Sequence, residues 1–97
     1  MPVRRLKVCE ALTIHHVHEL APELIAAACS GDTLKIDLSG VERIDSAGLQ
    51  LLALLQREAG ECQTRLEFEN PSPAVTDLVG FYRLHSVLEG TAGQLRA

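Results

Sequence analysis

The segment Asp37–Leu49 places acidic and hydroxyl side chains in a short polar turn between a predicted strand and a predicted helix. Ser46 falls in the first turn of that helix, where backbone N–H groups point outward and the helix dipole favours added negative charge. This position suits a phosphorylation switch. It suits catalysis poorly, because Asp37 and Asp45 lack a further histidine or nucleophile with which to form a general acid–base set. We therefore expect a protein that is not an enzyme.

Ser46 also has a simple structural explanation, since serine or aspartate before a helix commonly caps its first N–H groups and contributes about 1 kcal/mol. Asp45 is a second candidate for the same cap, and in that case the Ser46 hydroxyl would face solvent. A phosphate on Ser46 would add about −1.5 to −2 charges. The helix end would accept this charge, whereas a partner docked beside Asp45 would be repelled.

The helix that begins at Ser46 has apolar residues on more than one side. At 100° per residue, the arc that should pack against a sheet contains Gly48, Leu51, Leu52, Leu55 and Ala59. The opposite arc, the outer face, contains Ser46, Gln50, Ala53 and Arg57 and is flanked by Leu49 and Leu54. One interpretation is a partner-binding surface made of Asp45, Ser46, Ala47, Leu49, Gln50, Ala53 and Arg57. The other is that neighbouring loops cover the two leucines, because surface leucines are common.

Three histidines suggest a metal site, because two imidazoles spaced two residues apart on a strand or loop can share one face. They are His15, His16 and His18. No cysteine or carboxylate nearby completes a ligand set, so a solvated loop is the simpler interpretation and no metal is expected.

The cysteines and glycines likewise indicate no cofactor. Cys9, Cys29 and Cys62 are odd in number and far apart in the sequence, which favours reduced thiols in a reducing compartment over a disulfide. The glycines near the polar turn are isolated and form no phosphate-binding loop. We therefore expect no bound cofactor.

The motif around Ser46 resembles the signature of STAS domains. It consists of a strand, Asp37-Leu38-Ser39, an apolar spacer, Asp45-Ser46-Ala47-Gly48-Leu49 and a leucine-rich helix. The resemblance extends from about Leu6 to Leu88. It implies a bacterial regulatory protein of the anti-sigma-factor antagonist type, which binds a serine kinase or an anti-sigma factor and thereby controls transcription. It also implies that a partner kinase phosphorylates Ser46, and that Thr13–His18 forms a loop beside this serine.

Two other segments are similar to STAS subunits of ABC transporters for membrane phospholipids. These segments are Asn70–Val75 and Phe81–Leu84. In such complexes the STAS domain docks on an ATPase through the corresponding helix and regulates transport. This resemblance implies an alternative function, in which Ser46 is a contact residue.

The size and composition of the chain fit one small domain spanning residues 1–97. Apolar residues make up 46% of it, and its only aromatic residues are two phenylalanines and one tyrosine, so the core must be aliphatic. The formal net charge of −4 argues against nucleic acid as a partner. No apolar run approaches the roughly 18 residues that cross a bilayer, and no signal-type segment is present. We expect a cytoplasmic protein without direct membrane insertion.

Strands are predicted where apolar and polar residues alternate. This pattern occurs over Thr33–Leu38 and Arg65–Glu69, and it indicates one or two short strands within Leu6–Leu12. Because helices should alternate with these strands, the fold class is α/β. Together with the resemblance, this predicts a single STAS-like domain with a small mixed β-sheet of four to five strands packed by helices.

Helices are predicted where apolar residues recur three and four positions apart. The first should run from about His18 to Ser30, with Pro22 in its first turn and Gly31 ending it. The second should run from Ser46 to Ala59 and end at Gly60. The third should begin after the N-cap Ser72, with Pro73 in its first position, and stop near Gly80. The segment Leu84–Leu88 fits either a strand or a helical turn.

Overall fold

The computed structural model describes residues 3–89 of the chain. Three strands of five residues each form a parallel sheet within this range, in the order β1-β2-β3. They are β1 (Val3–Lys7), β2 (Thr33–Asp37) and β3 (Arg65–Glu69). The register pairs the first residue of each strand with the first residue of its neighbour, so the three strands begin and end level with one another.

The sheet differs from the predicted mixed sheet of four to five strands. Among the described residues it has three strands, and all of them are parallel. β1 begins before the predicted Leu6 and ends at Lys7, whereas Leu12 contributes only an isolated bridge to Ile44. The backbone around Leu12 pairs with the loop before the second helix: its N–H donates to the Arg43 carbonyl at 2.8 Å. This pairing replaces a further strand.

Helices cross between consecutive strands, which explains their parallel direction. They are α1 (Ile14–Ala28), between β1 and β2, and α2 (Ser46–Glu61), between β2 and β3. Right-handed connections that advance in one direction across the sheet place both helices on the same face, where they pack against each other. The central strand alternates accordingly, with Leu34 and Ile36 buried and the residues between them only half-buried.

The first helix begins four residues earlier and ends two residues earlier than predicted. Its N-cap is Thr13 and its C-cap is Cys29. Pro22 therefore lies inside the helix and not in its first turn. The proline removes one hydrogen bond to His18, and both residues are exposed, so water can replace that bond. Gly31, with φ +79°, follows the C-cap and turns the chain towards β2.

The second helix begins at Ser46 as predicted and continues past Gly60 to Glu61. Gly60 does not end it, because the N–H of Cys62 still donates to the Glu58 carbonyl at 2.9 Å. Gln63, with φ 57°, takes the left-handed conformation after the helix.

The remaining elements follow their local signals closely. β3 has the predicted bounds, and α3 (Pro73–Phe81) begins with Pro73 after the N-cap Ser72, whose hydroxyl accepts a hydrogen bond from the Val75 N–H at 3.3 Å. The undecided segment forms a 3-10 helix (His85–Glu89). The expected aliphatic core is confirmed, since its largest fully buried side chains are Leu12, Leu34, Ile36, Leu38, Val41, Leu52, Leu55, Leu66, Val75 and Val79. No helix within residues 3–89 has the length and apolar character needed to cross a membrane.

Candidate functional site

Asp45 fixes the N-terminal end of α2. It occupies the N-cap position, and its Oδ1 accepts hydrogen bonds from the N–H groups of Ala47 at 2.9 Å and Gly48 at 3.2 Å. Its Oδ2 accepts a third hydrogen bond, at 3.0 Å, from the N–H of Ile14, the first residue of α1. The prediction that Asp45 caps α2 is confirmed. The same carboxylate also joins the beginnings of the two helices.

These hydrogen bonds stabilise the ionised form of Asp45. The N–H of Ile14 makes the largest contribution, and those of Gly48 and Ala47 add to it. Partial desolvation opposes them, yet the pKa of Asp45 still lies below its usual value. Asp45 therefore carries a negative charge at neutral pH, immediately beside Ser46.

Gly48 allows α2 to approach the segment that precedes α1. A Cβ atom added at this position would overlap the carbonyl oxygen of Leu12 and lie 2.7 Å from the Leu12 Cβ. No residue larger than glycine fits there without displacing backbone. The close contact sets the position of the first turn of α2, and with it the position of Ser46.

Ser46 is the first residue of α2, and it is exposed. Because Asp45 provides the cap, the Ser46 hydroxyl is not required for that purpose. Within residues 3–89 its side chain forms no hydrogen bond. A second protein can therefore reach this hydroxyl.

The outer face of α2 presents a mixed polar surface. Gln50, Ala53 and Arg57 are exposed, as Ser46 is, while Ala47 is half-buried. The guanidinium of Arg57 pairs with Glu61, with 3.6 Å between Nε and Oε1. Exposed helical ion pairs of this kind contribute about 0.3–0.5 kcal/mol, so Arg57 can exchange this partner for an acidic group on another protein.

Leu49 is one of the two leucines that flank the outer face of α2, for which the sequence leaves both a partner surface and cover by neighbouring loops open. Only 4% of its surface is exposed, and it belongs to the hydrophobic core. Residues after α3 cover it and leave a groove of about 220 Å³, lined by Ser46, Leu49, Gln50, Ala53, Tyr82, Leu84 and Val87. Cover by neighbouring residues is thus the correct interpretation for Leu49. Leu54, on the other flank, is 37% exposed.

Large apolar side chains surround the N-terminal end of α2. Phe81, Ile14, Tyr82 and Leu84 expose between 41% and 72% of their surface. Phe81 and Ile14 line a wider groove, of about 720 Å³, that also includes Asp45. From the sequence, Phe81–Leu84 is indicated only by a family resemblance, and Ile14 only as part of the segment Thr13–His18 beside Ser46. The sequence signal for Ile14 is an apolar side chain at the start of a histidine-rich segment.

The histidine-rich segment is helical. His15, His16 and His18 lie in the first two turns of α1, and not on a strand or loop. His16 Nδ1 lies 3.1 Å from the Thr13 hydroxyl. Within residues 3–89, none of the three histidines belongs to a group of three potential metal ligands. The segment does lie beside the start of α2, as the hydrogen bond between Ile14 and Asp45 shows.

Comparison with known proteins places this arrangement in a family. A protein-family model described as "Mlab, STAS domain" matches residues 3–89, which is most of the chain. A search of curated proteins gave no match. STAS domains generally mediate interactions between proteins. The extent of the match, over the strands, the helices and the Asp45–Ser46 turn alike, shows that this chain belongs to the STAS-domain family.

Proposed function

We propose that the protein is a non-catalytic, cytoplasmic regulator of the anti-sigma-factor antagonist type. A serine kinase or anti-sigma factor docks on the N-terminal end and outer face of α2, and phosphorylation of Ser46 releases it. The observation that supports this proposal is the exposed Ser46 hydroxyl at the first position of α2, which is free because Asp45 provides the helix cap.

The geometry around Ser46 favours a switch that acts on docking and not on folding. A phosphate at the first helical position is stabilised by the helix dipole, and among residues 3–89 the Ser46 side chain has no hydrogen bond to lose. The phosphate would place about −1.5 to −2 charges beside the ionised Asp45. A partner surface at this point would lose affinity through repulsion and desolvation. A loss of about 3 kcal/mol corresponds to about a hundredfold in Kd.

Incubation with ATP and a serine kinase that binds the protein tests the proposal. We expect mass spectrometry to map one phosphate to Ser46 and to find none on Ser46→Ala. Ser86→Ala removes the hydroxyl of an exposed serine in the 3-10 helix and should be modified like the wild type. Phosphorylated protein should bind its partner about a hundredfold more weakly in calorimetry, with an unchanged far-ultraviolet circular dichroism spectrum. Transfer to another residue, or no transfer from a kinase that binds, would contradict the proposal.

A second candidate function is a subunit that docks on the ATPase of a phospholipid-transport ABC complex. It is favoured by the exposed apolar residues Phe81, Tyr82 and Leu84, which belong to a segment similar to such subunits. Tyr82 and Leu84 border the groove beside Ser46, and they extend the outer face of α2 with an apolar rim. Stable subunit contacts are more apolar than transient ones. In this function Ser46 is an unmodified contact residue.

Co-expression with each class of partner distinguishes the two functions. The transporter function would be supported if the protein copurified with an ATPase in a constant ratio. Ser46→Asp and Phe81→Ser should weaken this association, and Ser86→Ala should not. Binding to a kinase or anti-sigma factor that is insensitive to Phe81→Ser, together with phosphate on Ser46, would support the switch.

A further inference from the structure

The C-terminal ends of α1 and α2 bring three potential metal ligands together. Cys29 is the C-cap of α1, and Cys62 is the C-cap of α2. Glu58 precedes Cys62 by four residues, about one helical turn, and so lies on the same side of α2. The two Sγ atoms and a carboxylate oxygen of Glu58 all lie within 4.8 Å of one another.

We propose that Cys29, Glu58 and Cys62 form a binding site for a thiophilic divalent cation of the Zn²⁺ type. Zinc lies about 2.3 Å from thiolate sulfur and about 2.0–2.2 Å from carboxylate oxygen, so two such ligands at a tetrahedral angle are about 3.6–3.8 Å apart. The distance from Cys29 Sγ to Glu58 Oε2 is 3.9 Å, so small side-chain rotations suffice to close the ligands around an ion. The fourth position is left for water or for a ligand from another molecule.

The turns that follow the two helices hold the cysteines near each other. The N–H of Gly31 donates to the hydroxyl of Thr64 at 2.9 Å, and Thr64 is only 2% exposed. The N–H of Arg65 donates to the carbonyl of Asp32 at 3.1 Å. These bonds join the turn after α1 to the turn after α2. A cation would thus meet ligands whose backbone is already positioned, which lowers the ordering cost of binding.

The electrostatic environment at this end of the helices favours a cation. Both helix dipoles place partial negative charge at their C-termini, and neither helix has a basic residue in its last turn. Glu58 adds a carboxylate to the two thiols at this end of the helices. A divalent cation supplies the positive charge that these groups lack and stabilises both thiolates, and their two protons pass to solvent.

The proposed cation site is separate from the docking surface. Cys62 follows Ser46 by sixteen residues along α2, which corresponds to about 24 Å at the helical rise. The cluster lies where β2 and β3 begin, whereas Ser46 lies where β2 ends. Cys9, an exposed thiol that follows β1, also lies at the Ser46 end of the parallel sheet. It therefore provides a matched control.

Titration of Co²⁺ into the reduced full-length protein tests the site, because thiolate-bound Co²⁺ gives an intense charge-transfer absorption. We expect this absorption to saturate at one equivalent in the wild type and in Cys9→Ser, and Zn²⁺ to abolish it by displacement. Cys62→Ser should remove it. Glu58→Gln should weaken Co²⁺ affinity by about tenfold or more, since even the loss of an outer-shell partner has an effect of that size. A spectrum without the absorption in wild type, or one lost in Cys9→Ser, would overturn the proposal.

Alkylation of the wild-type chain gives a second test that needs no variant. Zn²⁺ should protect Cys29 and Cys62, but not Cys9, from iodoacetamide, as peptide mapping would show. Equal labelling of all three thiols with and without Zn²⁺ would overturn the proposal. So would a Cys29–Cys62 disulfide that forms in air equally fast in the presence and absence of Zn²⁺.

Discussion

Asp45 and Gly48 hold Ser46 in place from both sides. The carboxylate of Asp45 accepts N–H groups from α2 and from the start of α1, and Gly48 permits the contact with Leu12. Between these two fixed residues, the side chain of Ser46 is exposed. Asp45 and Gly48 thus have structural roles in the motif, whereas the Ser46 side chain is left available for contact with another protein.

Replacement of Gly48 should destabilise the fold. Gly48→Ala would force a Cβ against the Leu12 backbone, which cannot rotate away, and we expect a loss of about 1–3 kcal/mol in the free energy of unfolding. Gly80→Ala is the control, because the new Cβ would only reach the His85 Nε2, at 3.9 Å. The control should be neutral or stabilising by up to about 1 kcal/mol. Urea unfolding followed by circular dichroism measures both, and equal effects would contradict the close-contact explanation.

Asp45 should contribute to the pH dependence of stability. Its pKa in the folded protein lies below the ordinary value of 3.8, so its contribution is complete above about pH 4 and is lost as the pH falls through the folded-state pKa. Asp45→Asn removes this term and one acceptor for the Ile14 N–H. We expect a loss of about 1 kcal/mol at neutral pH and a shallower decline in acid, measured by urea unfolding at several pH values. Parallel stability–pH curves for the two proteins would contradict this.

Among the elements, α2 is buried on two sides. One side packs on the sheet and α1, and the residues after α3 cover Leu49 on a second side. The exposed part of α2 is consequently narrower than the projection of its sequence at 100° per residue indicates. The outer face is reduced to a strip between the 3-10 helix and Leu54.

The two flanking leucines of α2 should respond differently to truncation. Leu49→Ala leaves a cavity in the core, and we expect a loss of about 2–5 kcal/mol. Leu54→Ala, the same change five residues later on the more exposed flank, should cost about 1 kcal/mol or less. Thermal and urea unfolding compare the two variants. A Leu54 variant as unstable as the Leu49 variant would show that both flanks are covered.

Elements with strong local signals are predictable from the sequence. Alternation is enough for β2 and β3, and the cap of Ser72 followed by Pro73 is enough for α3. The start of α1 is not predictable in this way. Its histidines are typical of a solvated loop, and Pro22 suggests that the helix begins just before it, because proline is common in the first turn of a helix. The burial of Leu49 is equally unpredictable from local sequence, since the residues that cover it come more than thirty positions later in the chain.

In the molecule as a whole, different groups of side chains lie at the two ends of the parallel strands. The ends of the strands meet the start of α2, with its exposed serine and apolar rim, while the beginnings of β2 and β3 meet the cysteine and glutamate cluster. The sequence motif predicts the first end of the molecule. It does not predict the second, because only the fold brings Cys29 next to Cys62.

A bulky residue on the outer face should block docking without unfolding the protein. Ala53→Arg places a long side chain in the groove beside Ser46, and we expect it to raise the partner Kd by about tenfold or more, equivalent to about 1.4 kcal/mol. Ala26→Arg makes the same change at an exposed position of α1 and should leave Kd unchanged. Calorimetry with the partner and thermal unfolding provide the two readouts. Unaltered affinity in Ala53→Arg would place the docking surface elsewhere.

The hydrogen bond from Ile14 to Asp45 has a practical consequence for detecting docking. The first amides of a helix have no acceptor within that helix, so the Ile14 amide depends on the Asp45 carboxylate for protection from solvent exchange. Its deuterium uptake therefore registers whether the junction of the two helices is intact. A partner that tightens this junction would slow the uptake, and one that draws the carboxylate to itself would accelerate it.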